Sequence, residues 1–567
     1  MPLEILSEYR RSGFEVLSFI RIFHWLCITF LSIFTLFALH GLETQGAPKD
    51  DLWAMGIFYS SAAFLAMTLV GAFCAPLVWL WRRNKYLAAQ TLPPGPIGYP
   101  IVGSLFHVDP QKPFDFFQAL AQEHGRICKV YMGSKLFIIV TDPGILRKLF
   151  AKTDFCGRAP LDIPFKMMEG CGLIAAEGEH WSIQRQFTAK FMKEVGMRGG
   201  NTHDRKQMEE RLLNTVRSFV DDLCEGESIS LDTPLQQTIG NMLNDIIFGQ
   251  QYPPDDPKWQ RIQFLRENGV KQLKMAQASN LIPFLSLIFR GKLNEFAQGI
   301  KETHSEYQRV IDVRKKDFDS AGDYHGPKCL VGEFLKAKRN AQMKDPQSAE
   351  SHSFSDKQLC YLAGDIFGAG IDTTVNTIQW CILYLCKRQL IQQELYNDIK
   401  TRCGSIITLH DKHQLVHLQA FIFEVMRMKP AVPMGVPHGT TRTVDLEGYT
   451  IPKGATIIPL QWAINGDEEF WDVPTVFDPK RFLVSPEESE KELRPNPHFI
   501  PFQVGKRRCV GEEFGLDMIF LFLANFLQRF RVQLPRDDDN YDLNCYPDFA
   551  FTLHPVPYRV ELTARRD

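Results

Sequence analysis

Two uninterrupted apolar stretches dominate the start of the chain. Residues Ile22–Leu42 and Leu52–Trp81 contain no Asp, Glu, Lys or Arg. About 20 such residues cross a bilayer, so the pattern predicts a transmembrane helix over the second stretch. The first reads as a second span, completing a helical hairpin, or as an uncleaved signal-like segment. Arg10, Arg11 and Arg21 precede the pair, and Arg82, Arg83 and Lys85 follow it. The connection between them carries Glu43, Asp50 and Asp51 against Lys49. Positive flanks stay cytoplasmic, which puts residues 86–567 on the cytoplasmic side.

Further along, the pattern is that of a large globular domain. Leu362–Leu385 reads as a long buried helix, interrupted by Ala369-Gly-Ile-Asp-Thr-Thr374. The run Glu512–Leu523 is largely apolar and reads as a helix. Glu424 and Arg427 fall three apart, on one helical face, and Trp181 and Arg185 share a face at i, i+4. Asn280–Phe289 is apolar enough either to dip into a bilayer or to form a buried connection. Lys338–Lys357 is the most polar stretch and predicts a surface loop between helices. Leu92-Pro-Pro-Gly-Pro-Ile-Gly-Tyr-Pro100 ends any helix and stiffens the chain as it leaves the membrane. Three parts result: an anchor over 1–85, a proline-rich hinge over 86–100, and one large domain over 101–567.

Composition narrows the chemistry. A net charge of −2 over 567 residues gives no sign of nucleic-acid binding. Thirteen cysteines, dispersed without CxxC pairs, read as reduced thiols and not as a disulfide framework. One of them, Cys509, lies in the glycine-punctuated, basic run Phe502-Gln-Val-Gly-Lys-Arg-Arg-Cys-Val-Gly511, just before the apolar helix. Backbone N–H groups and a helix N-terminus there stabilise a thiolate, as an axial sulfur ligand on haem iron requires. In the interrupted helix, a Thr hydroxyl can bond back to the i−4 carbonyl and open a gap for water.

The Phe502–Gly511 run resembles the haem loop of the cytochrome P-450 family, FxxGxRxCxG, with every fixed position filled. Ala369–Thr374 resembles the family's oxygen-activation motif. Glu424, Arg427 and Arg481 (in Asp478-Pro-Lys-Arg-Phe) resemble its buried charge triad, and Trp181–Arg185 its propionate-binding pair. The match runs over roughly residues 90–565. One departure is Gly515, where the family usually has Ala.

The resemblance implies a mainly α fold with small β sheets and a haem b cofactor using O2. Cys509 would be the axial ligand. Phe502, Gly505, Arg507, Gly511, Trp181 and Arg185 would hold the haem, Arg507 by pairing with a propionate. Asp372 and Thr373 would manage protons, while Gly368–Gly370 would leave room above the haem. Electrons from NADPH would come through a separate flavoprotein reductase, because no flavin- or dinucleotide-binding stretch is evident. That partner would dock on a basic face near Lys506, Arg507 and Arg508. By the same analogy a small lipophilic substrate would meet Phe165, Met168, Ala369, Val432, Val436, His438 and Phe551. The implied activity is a monooxygenase of the endoplasmic reticulum membrane, its catalytic domain facing the cytosol.

Within the family, Gly157-Arg-Ala-Pro160, Gly240–Asp245 with Phe248-Gly249, and Gly435-Val-Pro-His-Gly439 resemble the arthropod ecdysteroid hydroxylases. The carbon-25 side-chain hydroxylase of hormone synthesis is nearest in pattern, partly through Cys509-x-Gly-Glu-Glu513. The carbon-26 hydroxylase that inactivates the hormone and a detoxifying monooxygenase stay open, as do a haem-thiolate isomerase and a haem-based sensor.

Overall fold

Most of the described chain is helical. The structure, a computed structural model, describes residue 68 and residues 91–99, 102–159, 168–194, 203–226, 228–266, 281, 289–321, 328–484, 492–494, 496–536, 541–546 and 551–565. The predicted spans (apart from Thr68), nearly all of Asn280–Phe289, and Phe165 lie outside these residues. By its contacts the chain divides into Met1–Thr91 and Leu92–Asp567. Among the described residues no helix is long and apolar enough to cross a membrane.

The helices run in the order α1 (Pro113–His124), α2 (Pro143–Phe150), α3 (Gly178–Met192), α4 (His203–Asp221), α5 (Asp232–Phe248), α6 (Arg290–Ala321), α7 (Leu330–Lys344), α8 (Ala349–Ser353), α9 (Asp356–Lys387), α10 (Gln389–Arg402), α11 (Val416–Met428), α12 (Gln461–Asn465) and α13 (Glu512–Arg529). Residues 257–266 are helical as well. The strands are β1 (Ile127–Met132), β2 (Lys135–Val140), β3 (Gly157–Arg158), β4 (Ser228–Ile229), β5 (His438–Gly439), β6 (Val444–Leu446), β7 (Tyr449–Ile451), β8 (Thr456–Pro459), β9 (Phe530–Gln533) and β10 (Val560–Ala564). They form three small sheets, ordered β1-β2-β8-β5-β3, β4-β10-β9 and β6-β7. Short strands beside long helices give the mainly α architecture expected from the sequence.

Helix α9 is the axis of the core. Ser355 caps it by accepting the Gln358 N–H, and every residue from Thr374 to Cys386 is buried. It packs against α5, α6, α11 and α13, and α13 is itself buried from Met518 to Leu527. A helix apolar on all faces is stable only inside such a shell.

Two readings of the sequence change. The polar stretch Lys338–Lys357 is mostly helical, forming the end of α7, all of α8 and the start of α9. Its charges are solvated on one face or paired, as in Lys338 and Lys315 on Asp356, while Phe334, Leu335 and Ala341 are buried on the other. The hinge is also more than a spacer. The Lys129 N–H of β1 donates to the Pro94 carbonyl at 2.8 Å, and Lys129 Nζ donates to that of Pro93 at 2.8 Å. A Cβ at Gly95 would meet the Lys129 carbonyl at 2.0 Å, so only glycine allows this approach.

Candidate active site

The cysteine loop is shaped by contacts with distant parts of the chain. The Cys509 N–H closes it onto the Phe502 carbonyl at 2.9 Å, and the Lys506 N–H donates to the Phe150 carbonyl at 2.9 Å. Gly505 has φ +80°, and a Cβ there would lie 2.3 Å from that same carbonyl oxygen. Gly511 precedes the first residue of α13, and its N–H reaches the Cys509 sulfur. Burial pushes the Cys509 thiol up, while the Gly511 N–H and the cations Arg185 and Arg508 pull it back. Yet Cys509 counts as exposed.

Helix α3 presents two side chains to this loop. Trp181 lies beneath the Arg507 guanidinium, 4.4 Å from its ring centre, and Arg185 donates to the Arg508 carbonyl at 2.5 Å. Arg507 is buried and turned inward. Its Nε donates to the Cys156 carbonyl at 2.7 Å and one terminal nitrogen to Ala176 at 2.6 Å. It therefore leaves the basic outer face to Lys506 and Arg508, which corrects the three-residue docking face expected above. Arg158, not singled out as a site residue, stands beside it and donates to the Ile174 carbonyl at 2.7 Å. Burial pushes both down, Arg158 to about 9 with added repulsion from Arg507, and Arg507 to about 10 with added repulsion from Arg185. The signal for Arg158 was present in Gly157-Arg-Ala-Pro160, a basic residue between small apolar ones.

The open part of α9 is Gly368–Thr373. Ala369 is exposed and Gly368, Gly370, Asp372 and Thr373 are half-buried, between fully buried Phe367 and Thr374. The Thr373 hydroxyl donates to the Ala369 carbonyl at 2.7 Å, as anticipated, although the helix runs on without a break. Asp372 forms an ion pair with Arg266. Burial raises its carboxyl, and Arg266 and His554 draw it back. Gly370 does not leave room above a haem: a Cβ there would meet Leu243 of α5 at 2.8 Å, whereas one at Gly368 meets nothing within 4 Å. Gly370 is small for close helix packing, and Gly368 and Ala369 provide the space.

The charge triad forms as the resemblance implies, with Glu424 and Arg427 on one helical face as their spacing predicts. Glu424 takes Arg427 through two bonds of 2.7 and 2.8 Å and Arg481 through one of 3.1 Å. The Asp478 N–H donates to Glu424 at 2.9 Å, and Arg427 also donates to the Asn465 and Pro474 carbonyls. A buried network this complete avoids the cost of unpaired charge.

The expected substrate wall is only partly assembled. Val432 and Val436 are half-buried, and the Leu553 N–H bonds the Ala431 carbonyl at 2.9 Å, which ties the segment after Phe551 to the one that carries them. Met168 lines a cleft of about 660 Å³ with Arg266, Phe367 and Gly368. His438 is not a substrate ligand. It is buried, stacked on Phe150 at 3.7 Å, and its Nδ1–H donates to the Phe155 carbonyl at 2.8 Å while Nε2 lies 3.4 Å from Gln503 Oε1. Burial drives its pKa down to about 3, so it stays neutral as a structural residue of β5.

These residues fit a haem. Cys509 offers a sulfur supported by an N–H and two cations, as an axial thiolate needs. Buried Arg507 and the half-buried Arg158 and Arg185 form a cluster of cations suited to the two propionates. Gly368 and Ala369 keep α9 small where the opposite face would lie.

A family model described as Cytochrome P450 matches residues 93–562. Cytochrome P450 306a1 of Drosophila melanogaster is 28% identical over 90% of this chain and 96% of its own length. Cytochrome P450 18a1 of the same fly is 29% identical over 89% and 93%. The goat (Capra hircus) steroid 17-alpha-hydroxylase/17,20 lyase is 28% identical over 87% and 97%.

Proposed function

The chain belongs to the cytochrome P450 family and is a monooxygenase, and on that premise we propose that it hydroxylates a neutral steroid, an ecdysteroid precursor at its side chain. The observation that carries the chemistry is the Cys509 sulfur, held by the Gly511 N–H between Arg185 and Arg508. When bound through that sulfur, haem iron supplies the activation of dioxygen, and the thiolate favours O–O cleavage. Arg158, Arg185 and Arg507, with Trp181, would hold the propionates. The Thr373 hydroxyl orders a water at the open face of α9. Asp372 passes protons toward it, with Arg266 balancing the carboxylate. The mostly apolar wall of Met168, Ala369, Val432, Val436 and Phe551 excludes water around a bulky lipophile.

The steroid assignment is supported by the steroid hydroxylase among the relatives and by the ecdysteroid-hydroxylase-like segments around Gly157, Gly240 and Gly435. We further propose that residues 1–85 anchor the protein in the endoplasmic reticulum membrane with the domain in the cytosol, where an NADPH-dependent flavoprotein reductase supplies electrons.

Two experiments test these readings. Cys509→Ser should abolish the thiolate-shifted band of the reduced, carbon monoxide-treated protein, together with turnover. A variant that keeps both overturns the site. Incubating the enzyme with reductase, NADPH and a panel of steroids that includes ecdysteroid precursors should give a side-chain monohydroxylated product by mass spectrometry. Oxidation of xenobiotics but of no steroid replaces the substrate assignment with a detoxifying one.

A further inference from the structure

A strap of backbone, Gly172–Ala176, is gripped along both edges. Its N–H edge faces α9. Asp365 Oδ2 accepts the N–H of Leu173 at 2.6 Å and of Ile174 at 2.8 Å. Two turns earlier on the same helix face, Gln358 accepts the Gly172 N–H at 2.9 Å and donates to the Gly172 carbonyl at 3.0 Å. Both side chains are buried, Gln358 at 0% and Asp365 at 6% exposure. The carbonyl edge faces the arginines of the haem site: Ile174 accepts from Arg158 and Ala176 from Arg507.

Gly172 shows that the clasp dictates local sequence. Its φ is +79°, and a Cβ would lie 2.3 Å from Asp365 Oδ2. Both the backbone conformation and the approach of the carboxylate require glycine. The strap also continues directly from Met168, which lines the cleft against α9.

A carboxylate in the middle of a core helix is costly unless its bonds have a use. Asp365 lies seven residues before Asp372, so it shares the face of α9 that carries the reaction chemistry, yet it touches neither Cys509 nor Thr373 in the bonds described. Its partners are main-chain N–H groups of the pocket wall. We infer that Asp365 and Gln358 are positioning residues that set substrate selectivity: they fix the strap at one distance from α9 and thereby the width of the pocket entrance beside Met168. The arginines on the other edge keep the strap in register with the haem, so pocket width and haem position are set by the same five residues. Loss of the Asp365 bonds leaves the strap tied to α9 only at Gly172, through Gln358, and frees its Leu173–Ile174 edge to move outward.

The test uses the holoenzyme and two azole probes that bind haem iron, imidazole and the bulkier 4-phenylimidazole, read by the shift of the haem absorption band. These probes report on the entrance whether or not the substrate is a steroid. Asp365→Ala should change the 4-phenylimidazole dissociation constant at least fivefold and the imidazole constant less than twofold, with the thiolate band of the reduced carbon monoxide complex retained. Asp365→Asn keeps an acceptor oxygen for both N–H groups and should restore the wild-type ratio. With any oxidised substrate, KM and the product distribution should shift in Asp365→Ala more than kcat does. Unchanged azole ratios in Asp365→Ala overturn the inference, and so does an Asn variant as altered as the Ala variant, because the charge would then matter and the clasp would not. If the Ala variant fails to take up haem, Gln358→Leu reads the same ratio from the other half of the clasp. A wild-type ratio there also overturns it.

Discussion

Asp365 and Lys429 give the protein pH responses of opposite sign. Burial raises the Asp365 carboxyl from 3.8 to about 6. The folded state therefore keeps a proton that the unfolded chain releases between about pH 4 and pH 6. Stability falls as pH rises through that window and stays lower above it. A shift of this size corresponds to roughly 3 kcal/mol at most. Asp365→Asn should gain in thermal midpoint relative to wild type from pH 4 to 6, then hold that gain at higher pH; a pH-independent difference contradicts the assignment. Lys429 is buried between the rings of Trp380 and Tyr546 and donates to the Tyr546 hydroxyl at 2.7 Å. Burial lowers its pKa from 10.5 to about 7, so the unfolded chain binds the extra proton and stability rises from about pH 7 toward 10. Lys429→Met should flatten that rise in denaturant midpoints measured across the window. At this scale the sequence was legible for residues whose chemistry depends on type and spacing, such as Cys509, Thr373 and Glu424. It misled where direction decides: Arg507 turns inward, His438 faces Phe150, and Gly370 faces Leu243. A motif names a residue but does not state which neighbour claims its side chain.

Among the elements, α9 was the most readable. The apolar run Leu362–Leu385 lies inside the observed Asp356–Lys387, because a helix buried on all sides leaves no polar stripe to blur its pattern. The stretch 338–357 was misread for the opposite reason. Its polar residues cover the outer face of helices whose buried apolar positions fall mostly before it, from Leu330 to Leu335, and leave Ala341 as the buried position of α7 inside it. The pairing of α11 with the segment around Arg481 depends on one carboxylate. Arg427→Met would leave Glu424, which is 0% exposed, with one carboxylate oxygen unpaired and only Arg481 and the Asp478 N–H on the other. Breaking a buried pair from one side costs about 3–5 kcal/mol. The variant should show a thermal midpoint lower by several degrees and a reduced haem content per chain in absorbance ratios. A variant as stable as the parent would show that the triad is not a structural lock.

Over the whole molecule, a net charge of −2 hides local asymmetry. Lys506 and Arg508 are exposed beside the buried Arg507, and Lys506 is anchored by a 2.6 Å bond to Thr153 Oγ1. If this face is where the proposed reductase docks, association depends on salt. Lys506→Glu should slow reductase-supported turnover several-fold at low ionic strength, less at high ionic strength, and leave peroxide-supported turnover unchanged. Equal turnover with reductase at all salt concentrations removes Lys506 from the docking face.

The bonds that shape the cysteine loop also constrain biogenesis. Arg507 is bonded to the Cys156 carbonyl, 351 residues earlier, and Gly505 rests against the end of α2. The amino-terminal half of this cradle emerges from the ribosome long before the half that bears the sulfur. Pigment capture must therefore wait until both halves of the cradle have been synthesised, and cells starved of iron should accumulate a chain whose cysteine loop is cut by protease faster than in the pigmented protein.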